Sequence, residues 1–125
     1  MNIPKELLYS KSHEWVRLDG NTAEIGLSDF AQQQLGDLVF VNMPQVGDIV
    51  SMGEPFADVE SVKAVSDVFS PVSGTVCAVN DTLLNTPELI NESPYDSWFI
   101  KVEDITAKED LLSPELYEEF AREEE

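Results

Sequence analysis

The most informative part of the sequence is the segment Pro55-Phe56-Ala57-Asp58-Val59-Glu60-Ser61-Val62-Lys63-Ala64-Val65-Ser66-Asp67-Val68-Phe69-Ser70-Pro71. Apolar and β-branched residues flank Ser61 to Ala64 on both sides, which is typical of two hairpin strands. Lys63 then lies at the tip of the hairpin. Since no Gly or Asn supplies the two-residue turn that hairpins favour, periodicity alone does not place the bend here.

Short β segments continue on both sides of this hairpin. Turn signals such as Asp19-Gly20-Asn21, Val46-Gly47-Asp48 and Asn80-Asp81 separate them, at spacings typical of a small sandwich or barrel. The predicted strands are residues 14–18, 22–26, 38–42, 48–51, 55–60, 64–69, 74–80 and 98–102.

Helical segments are predicted at three places. One covers residues 28–35 and is closed by Gly36, another is opened by Thr86-Pro87, and a C-terminal helix is opened by Ser113-Pro114. We expect Glu123 to Glu125 to fray, because carboxylates at a helix C-terminus oppose the helix dipole. The C-terminal side chains expected to dock on the domain are Leu116, Tyr117 and Phe120.

Length and charge indicate one acidic domain. The 125 residues suffice for a single core, which we predict at about residues 9–102, followed by an acidic helical region at 103–125. Asp and Glu total 25 against 7 Lys and Arg, a formal net charge of −18. Such a surface repels phosphate groups, so nucleic-acid and anionic-membrane binding are not expected.

Cysteine, histidine and apolar runs narrow the class of protein further. One Cys and one His cannot form an intramolecular disulfide or a Cys/His zinc site, so no metal is expected. No apolar run reaches the roughly 20 residues of a membrane span, and Met1 to Glu6 lacks the apolar centre of a signal peptide. We therefore expect a soluble protein of a reducing compartment.

The sequence offers little for catalysis. Cys77 lies in a segment that is typical of a buried strand, where a thiol is a poor nucleophile, and we assign it a structural role. His13, at the entry to the first predicted strand, is expected to form hydrogen bonds at the surface or at a sheet edge. No triad, phosphate loop or dinucleotide motif accompanies them. The chain is therefore not expected to be an enzyme by itself.

Lys63 is the candidate functional residue. It is the only basic residue between Leu18 and Ile100, and it lies among acidic residues. A solvated lysine paired with those carboxylates is the alternative to a functional role. A primary amine at the tip of a rigid hairpin suits a covalently attached swinging cofactor, since the protein then supplies position and the cofactor supplies reactivity.

Several ordered segments of the sequence match one known family. They are Ser12-His13-Glu14-Trp15-Val16, Leu35-Gly36-Asp37-Leu38-Val39-Phe40-Val41, Glu60-Ser61-Val62-Lys63-Ala64, Ser66-Asp67-Val68, Ser70-Pro71-Val72-Ser73-Gly74 and Leu89-Ile90-Asn91-Glu92-Ser93-Pro94-Tyr95. With these segments the chain resembles, from about Tyr9 to Val102, the H protein of the glycine cleavage system, a lipoyl-carrying family related to lipoyl and biotinyl carrier domains.

The resemblance implies that Lys63 carries lipoate in amide linkage. A biotinyl carrier would flank this lysine with Met residues, whereas Val62 and Ala64 stand here. Lipoate is therefore favoured over biotin.

The resemblance also implies roles for residues around the arm. Ser12, Glu14 and Asp67 match positions that contact the loaded arm, and their oxygen atoms suit a cationic amine. For hairpin recognition by the attachment enzyme we assign Glu60, Val62 and Ala64. Asp67, like Glu60, has this recognition role as the alternative to contact with the loaded arm.

The fold implied by the resemblance is mostly β, a barrel-sandwich hybrid of two small antiparallel sheets with short helices and a C-terminal helix. The sequence departs from the family in one loop, where Asp96-Ser97-Trp98 replaces the usual Gly-Trp. A glycine often marks a positive φ, which serine adopts less easily. The sequence therefore leaves the conformation of this loop open, and the core strand Trp98 to Val102 is expected to be retained.

The function implied is that of a carrier that shuttles an aminomethyl group and reducing equivalents. Its implied partners are the pyridoxal-phosphate glycine decarboxylase (P protein), the tetrahydrofolate-dependent aminomethyltransferase (T protein) and dihydrolipoamide dehydrogenase (L protein). A lipoate ligase or octanoyltransferase would attach the cofactor. The expected location is the bacterial cytoplasm, or the mitochondrial matrix for a processed eukaryotic chain.

Two alternatives remain open from the sequence. The same residues suit a relay that donates lipoyl or octanoyl groups to other lipoyl-dependent dehydrogenase subunits. A plain interaction module, in which Lys63 is never modified, is the other alternative.

Overall fold

The computed structural model describes residues 1–124 and contains two antiparallel sheets. The first has six strands in the order β1-β2-β3-β9-β8-β5, and the second has three in the order β4-β6-β7. The elements are β1 Leu8–Tyr9, β2 Glu14–Asp19, β3 Thr22–Leu27, α1 Asp29–Leu35, β4 Leu38–Asn42, β5 Ile49–Val50, β6 Pro55–Ser61, β7 Val65–Phe69, β8 Val72–Val79, α2 Thr82–Asn85, α3 Leu89–Glu92, β9 Ile100–Lys108 and α4 Pro114–Glu124.

The main core lies between the two sheets. Val59 and Val68 of the hairpin are completely buried, whereas Glu60 and Asp67 beside them are exposed, as the alternation of side chains along a strand requires. Burial of one such valine contributes about 1.5–3 kcal/mol relative to exposure. The predicted mostly β, two-sheet architecture is confirmed.

A second, largely aromatic cluster holds the C-terminal helix. The rings of Tyr9 and Tyr117 stack with centroids 4.5 Å apart, and Ser113 caps α4 by accepting a hydrogen bond from the N–H of Leu116 at 3.3 Å. The expectation that Leu116 docks was wrong, since it is exposed. The docked face consists of Tyr117, Ala121 and the half-buried Phe120.

The end of α4 differs from the expectation of fraying. The helix extends to Glu124, whose Oε2 atom lies 2.7 Å from Nε2 of His13. A tertiary contact with the His13 ring therefore holds this residue in the helix, although its carboxylate interacts unfavourably with the helix dipole. The remaining residue of that prediction, Glu125, lies outside the described residues.

The region 103–125 is not helical throughout, which corrects the predicted boundary. β9 begins at Ile100 rather than at residue 98 and continues to Lys108, because its second half pairs with β8. Acidic residues on this half point to solvent and do not prevent strand formation. The sequence analysis also missed the short elements β1 and α2.

Cys77 differs from expectation, and the structure defines the loop of Ser97, which the sequence left open. Cys77 lies on β8 at a register shift between Val76 and Ala78, so its side chain is half-buried rather than buried. Ser97 has no positive φ. Its hydroxyl donates to the carbonyl of Leu89 at 3.0 Å, so serine fits this loop without backbone strain.

Candidate functional site

The hairpin turn lies where the sequence suggested and is closed by a serine side chain. The Ser61 N–H donates to the Ala64 carbonyl at 2.8 Å. The Ser61 hydroxyl oxygen accepts from the N–H groups of Lys63 at 3.2 Å and Ala64 at 3.0 Å. Neither Val62 nor Lys63 has a positive φ. This turn therefore needs no residue with positive φ, and the Ser61 side chain stabilises it by accepting backbone hydrogen bonds.

The hairpin tip is supported by the short connection between α1 and β4. The N–H of Val62 donates to the carbonyl of Asp37 at 3.1 Å. A Cβ atom at Gly36, which has φ 81°, would lie 3.3 Å from Cε of Lys63. The lysine stem thus lies across Gly36, which has no side chain to obstruct it.

The amine of Lys63 is exposed and available. Within residues 1–124, no carboxylate oxygen lies within 4.0 Å of its Nζ atom, although Asp58, Glu60 and Asp67 are near in sequence. Pairing of Lys63 with its acidic neighbours, the alternative to a functional role, is therefore not observed. Glu60, Val62 and Ala64, which the resemblance assigns to hairpin recognition, are exposed beside it.

A buried carboxylate, Glu14, forms the second part of the site. Its Oε1 atom accepts from the hydroxyl of Ser10 at 2.6 Å and from that of Ser12. Its Oε2 atom accepts from the N–H of Phe69 at 3.2 Å. Burial raises the pKa of Glu14 to about 7, because desolvation outweighs the hydrogen bonds that stabilise the charged form.

Glu14 and Lys63 lie at opposite ends of β7. Glu14 belongs to the six-stranded sheet and accepts a hydrogen bond from Phe69, the last residue of β7, whereas Lys63 lies two residues before Val65, the first residue of that strand. The strand rise of about 3.3 Å per residue separates Val65 from Phe69 by about 13 Å. Asp67 lies between these ends, on the exposed face. Ser12 and Glu14 are thus hydrogen-bonded to each other. Within residues 1–124, neither forms a hydrogen bond or ion pair with Lys63 or Asp67.

Sequence reasoning missed part of this arrangement. Ser10 is fully buried and binds the same carboxylate as Ser12. No sequence pattern signalled this contact, because Ser10 and Ser12 reach Glu14 through a turn at His13, which has φ 75°. His13 was predicted to form hydrogen bonds, and its ring nitrogens contact Tyr117 and Glu124.

Metal and membrane features were also sought in residues 1–124. No group of three His, Cys, Asp or Glu side chains in this range is arranged to hold a metal ion. No helix in the described range combines the length and hydropathy needed to cross a bilayer.

A two-sheet β domain that presents an exposed lysine on a braced hairpin tip is a carrier domain of the lipoyl type. The family described as "Glycine cleavage H-protein" matches residues 7–124. The glycine cleavage system H protein of Lachnoclostridium phytofermentans is 59% identical over 99% of this chain and 98% of its own length. That of Anoxybacillus flavithermus is 54% identical over 96% of this chain and 97% of its own.

A solved structure agrees with these sequence relatives. The crystal structure of a glycine cleavage system H protein from Mycobacterium marinum superimposes with a TM-score of 0.87, at 36% identity and 98% coverage of both chains. The chain belongs to the glycine cleavage H-protein family.

Proposed function

We propose that this chain is the lipoyl carrier protein of a glycine cleavage system, with lipoate attached to Lys63. The observation that carries the proposal is the exposed amine of Lys63, which pairs with no carboxylate of residues 1–124. It lies on a hairpin tip, next to Gly36, where no side chain obstructs it. The names of the relatives support the same role.

The attachment step follows from the chemistry of Lys63. Its uncharged amine attacks the carbonyl carbon of a lipoyl adenylate, which a ligase makes from lipoate and ATP. A C–N bond forms, the C–O bond to AMP breaks, and the nitrogen releases one proton. Arginine at this position retains the charge but is not acylated.

Lipoate, when bound, supplies a disulfide ring that takes up the aminomethyl group from glycine and is left as a dithiol after that group is delivered. We assign Ser12, Glu14 and Asp67 to hold the cationic amino group at the end of the arm. Because a nearby cation favours the charged form of a carboxylate, the amino group lowers the pKa of Glu14 toward its ordinary range. The burial of Glu14 and Ser10 would also limit the access of water to a group bound there.

The carrier role implies three partner enzymes, which are called clients below. The carrier itself performs no catalysis and presents its arm in turn to glycine decarboxylase, the aminomethyltransferase and dihydrolipoamide dehydrogenase. Lipoate ligase or an octanoyltransferase modifies Lys63. Since the relatives described above are bacterial, we place this cycle in the cytoplasm.

Intact mass spectrometry tests the proposal directly. Chain produced in a host that supplies lipoate and a ligase gains the mass of one lipoyl group, and Lys63→Arg does not. Lys101→Arg, which replaces a lysine of the six-stranded sheet, is the control and is modified normally. A wild-type chain that stays unmodified contradicts the proposal.

Glycine turnover separates the carrier from the relay. The modified chain restores carrier-dependent glycine cleavage with purified P, T and L proteins, while Lys63→Arg does not. Rescue of pyruvate dehydrogenase lipoylation without any glycine turnover favours the relay instead.

A further inference from the structure

The outer face of the three-stranded sheet carries an unexpected set of apolar side chains. Paired residues on adjacent strands share a face, and Phe40, Glu60 and Val65 form one such row across β4, β6 and β7. The apolar members of the row are exposed. Together with two exposed neighbours they form what we call the tip patch: Val39, Phe40, Val62 and Val65.

The backbone of β4 creates part of the tip patch. Register between β4 and β6 shifts between Leu38 and Phe40, so Leu38 is buried while Val39 and Phe40 are both exposed. An irregularity of this kind redirects side chains and is typical of functional edges. The exposure of both Val39 and Phe40 is thus a consequence of the register shift in β4.

Carboxylates surround the tip patch. Asp58 and Asp67 are opposite each other in the next row on the same face, Glu60 lies within the patch row, and Asp37 contacts the tip through its carbonyl. Lys63 is the only basic residue between Leu18 and Ile100. A partner for this face therefore needs an apolar area with a rim of Lys or Arg side chains.

We propose that the tip patch and its carboxylates form the docking surface for the enzyme that acylates Lys63. The proposal rests on the proposed function and extends recognition from the hairpin tip to β4 and β7. An enzyme that forms a bond to Nζ must bring its acyl group to about 3 Å from that atom, so it covers the residues beside Lys63. The P, T and L proteins act on the far end of the arm, so they do not need to cover the residues beside Lys63.

Lipoylation kinetics test the docking surface. Purified lipoate ligase, lipoate and ATP are mixed with increasing concentrations of the unmodified chain, and the product is measured by intact mass. We expect Phe40→Thr and Val65→Thr each to raise KM about tenfold with kcat unchanged, as for loss of contacts that bind substrate and transition state equally. Circular dichroism verifies that each variant is folded.

Ile49→Thr is the matched control. Ile49 is 74% exposed and Val65 is 70% exposed, but Ile49 lies on β5, at the edge of the other sheet. Its lipoylation is expected to remain within about twofold of wild type. Equal KM values for the patch variants and this control overturn the proposal.

The salt dependence of the KM for lipoylation tests the carboxylates around the tip patch. Raising salt from about 0.05 to about 0.5 M should increase the KM of wild type, and should affect the double variant Asp37→Asn/Asp58→Asn less. The matched control is Asp81→Asn, an exposed carboxylate beside α2, which retains the full salt effect. An equal salt effect in the double variant contradicts the acidic rim.

Two further outcomes also test the docking surface. If the patch variants are lipoylated like wild type but lose turnover with P or T protein, the surface belongs to a client and the proposal is overturned. If wild-type chain is never lipoylated, the proposed function itself fails, and this inference fails with it.

Discussion

The Nδ1 atom of His13 lies 2.8 Å from the hydroxyl oxygen of Tyr117, and this contact joins the C-terminal helix to the segment that carries Ser12 and Glu14. His13 has φ 75°. The Tyr117 hydroxyl also lies 2.6 Å from the hydroxyl of Ser28, the N-cap of α1. One side chain of α4 thus contacts the start of two other elements.

Tyr117→Phe should therefore destabilise the domain. The ring stays buried, but the hydroxyl that pairs with His13 and Ser28 is lost, which costs about 1–3 kcal/mol of unfolding free energy. Urea denaturation measures the change. Leu116→Ala, on the exposed side of α4, is the control and should change stability by less than about 0.5 kcal/mol. Equal stabilities for Tyr117→Phe and wild type would show that these bonds contribute nothing.

Glu14 gives the stability a specific dependence on pH. Its folded-state pKa of about 7 is above the unfolded value near 4.5, so its contribution is fully present below pH 4.5. It is lost as pH rises through 7. Relative to Glu14→Gln, wild type should lose on the order of 3 kcal/mol across this range.

Comparison with Glu14→Gln is needed because His13 acts in the opposite sense. Burial lowers the pKa of His13 despite the Glu124 carboxylate, so its contribution is present above the unfolded pKa and is lost on acidification. A carbon-13 NMR titration of the Glu14 carboxyl measures its pKa directly. A midpoint near 4.5 would contradict the buried environment.

Ser61→Ala should loosen the hairpin tip. The hydroxyl oxygen that accepts from Lys63 and Ala64 is removed, so amide exchange at these two positions should accelerate. Ser61→Asp should restore protection, since an aspartate side chain accepts the same bonds. Ser66→Ala on β7 is the control. Unchanged exchange in Ser61→Ala would show that the backbone bond from Ser61 to Ala64 holds the turn alone.

Sequence patterns were informative where local chemistry decides the structure. Alternation in the segments around Val59 and Val68 predicted buried hairpin strands, and Ser113-Pro114 predicted the start of α4. The exposed position of Lys63 was also predicted, although the closing role of Ser61 was not. A turn without positive φ that is stabilised by a serine side chain has no distinctive composition.

Tertiary contacts account for what the sequence did not reveal. Ser10 and Ser12 meet Glu14 because His13 turns the chain through a positive φ, which no pattern in this segment signals. The second half of β9 forms because β8 is available to pair with it. Leu116 and Tyr117 are adjacent apolar residues, and only the position of the aromatic cluster decides which one docks.

Gly26→Ala should destabilise the six-stranded sheet through a clash with Trp15. A Cβ atom at Gly26 would lie 2.6 Å from Cε2 and Nε1 of the Trp15 ring, and the ring is fully buried, so it cannot move aside freely. Overpacking of this kind costs about 1–3 kcal/mol.

A double-mutant cycle with Trp15→Phe tests this explanation. Phenylalanine lacks the indole Nε1 group, which also donates to the carbonyl of Pro94 at 3.0 Å, so Trp15→Phe alone is destabilising. Added to Gly26→Ala, however, it relieves the clash, and the pair should cost less than the sum of the two single changes. Additive costs in urea denaturation would show that Gly26 is needed for some reason other than the close approach of Trp15.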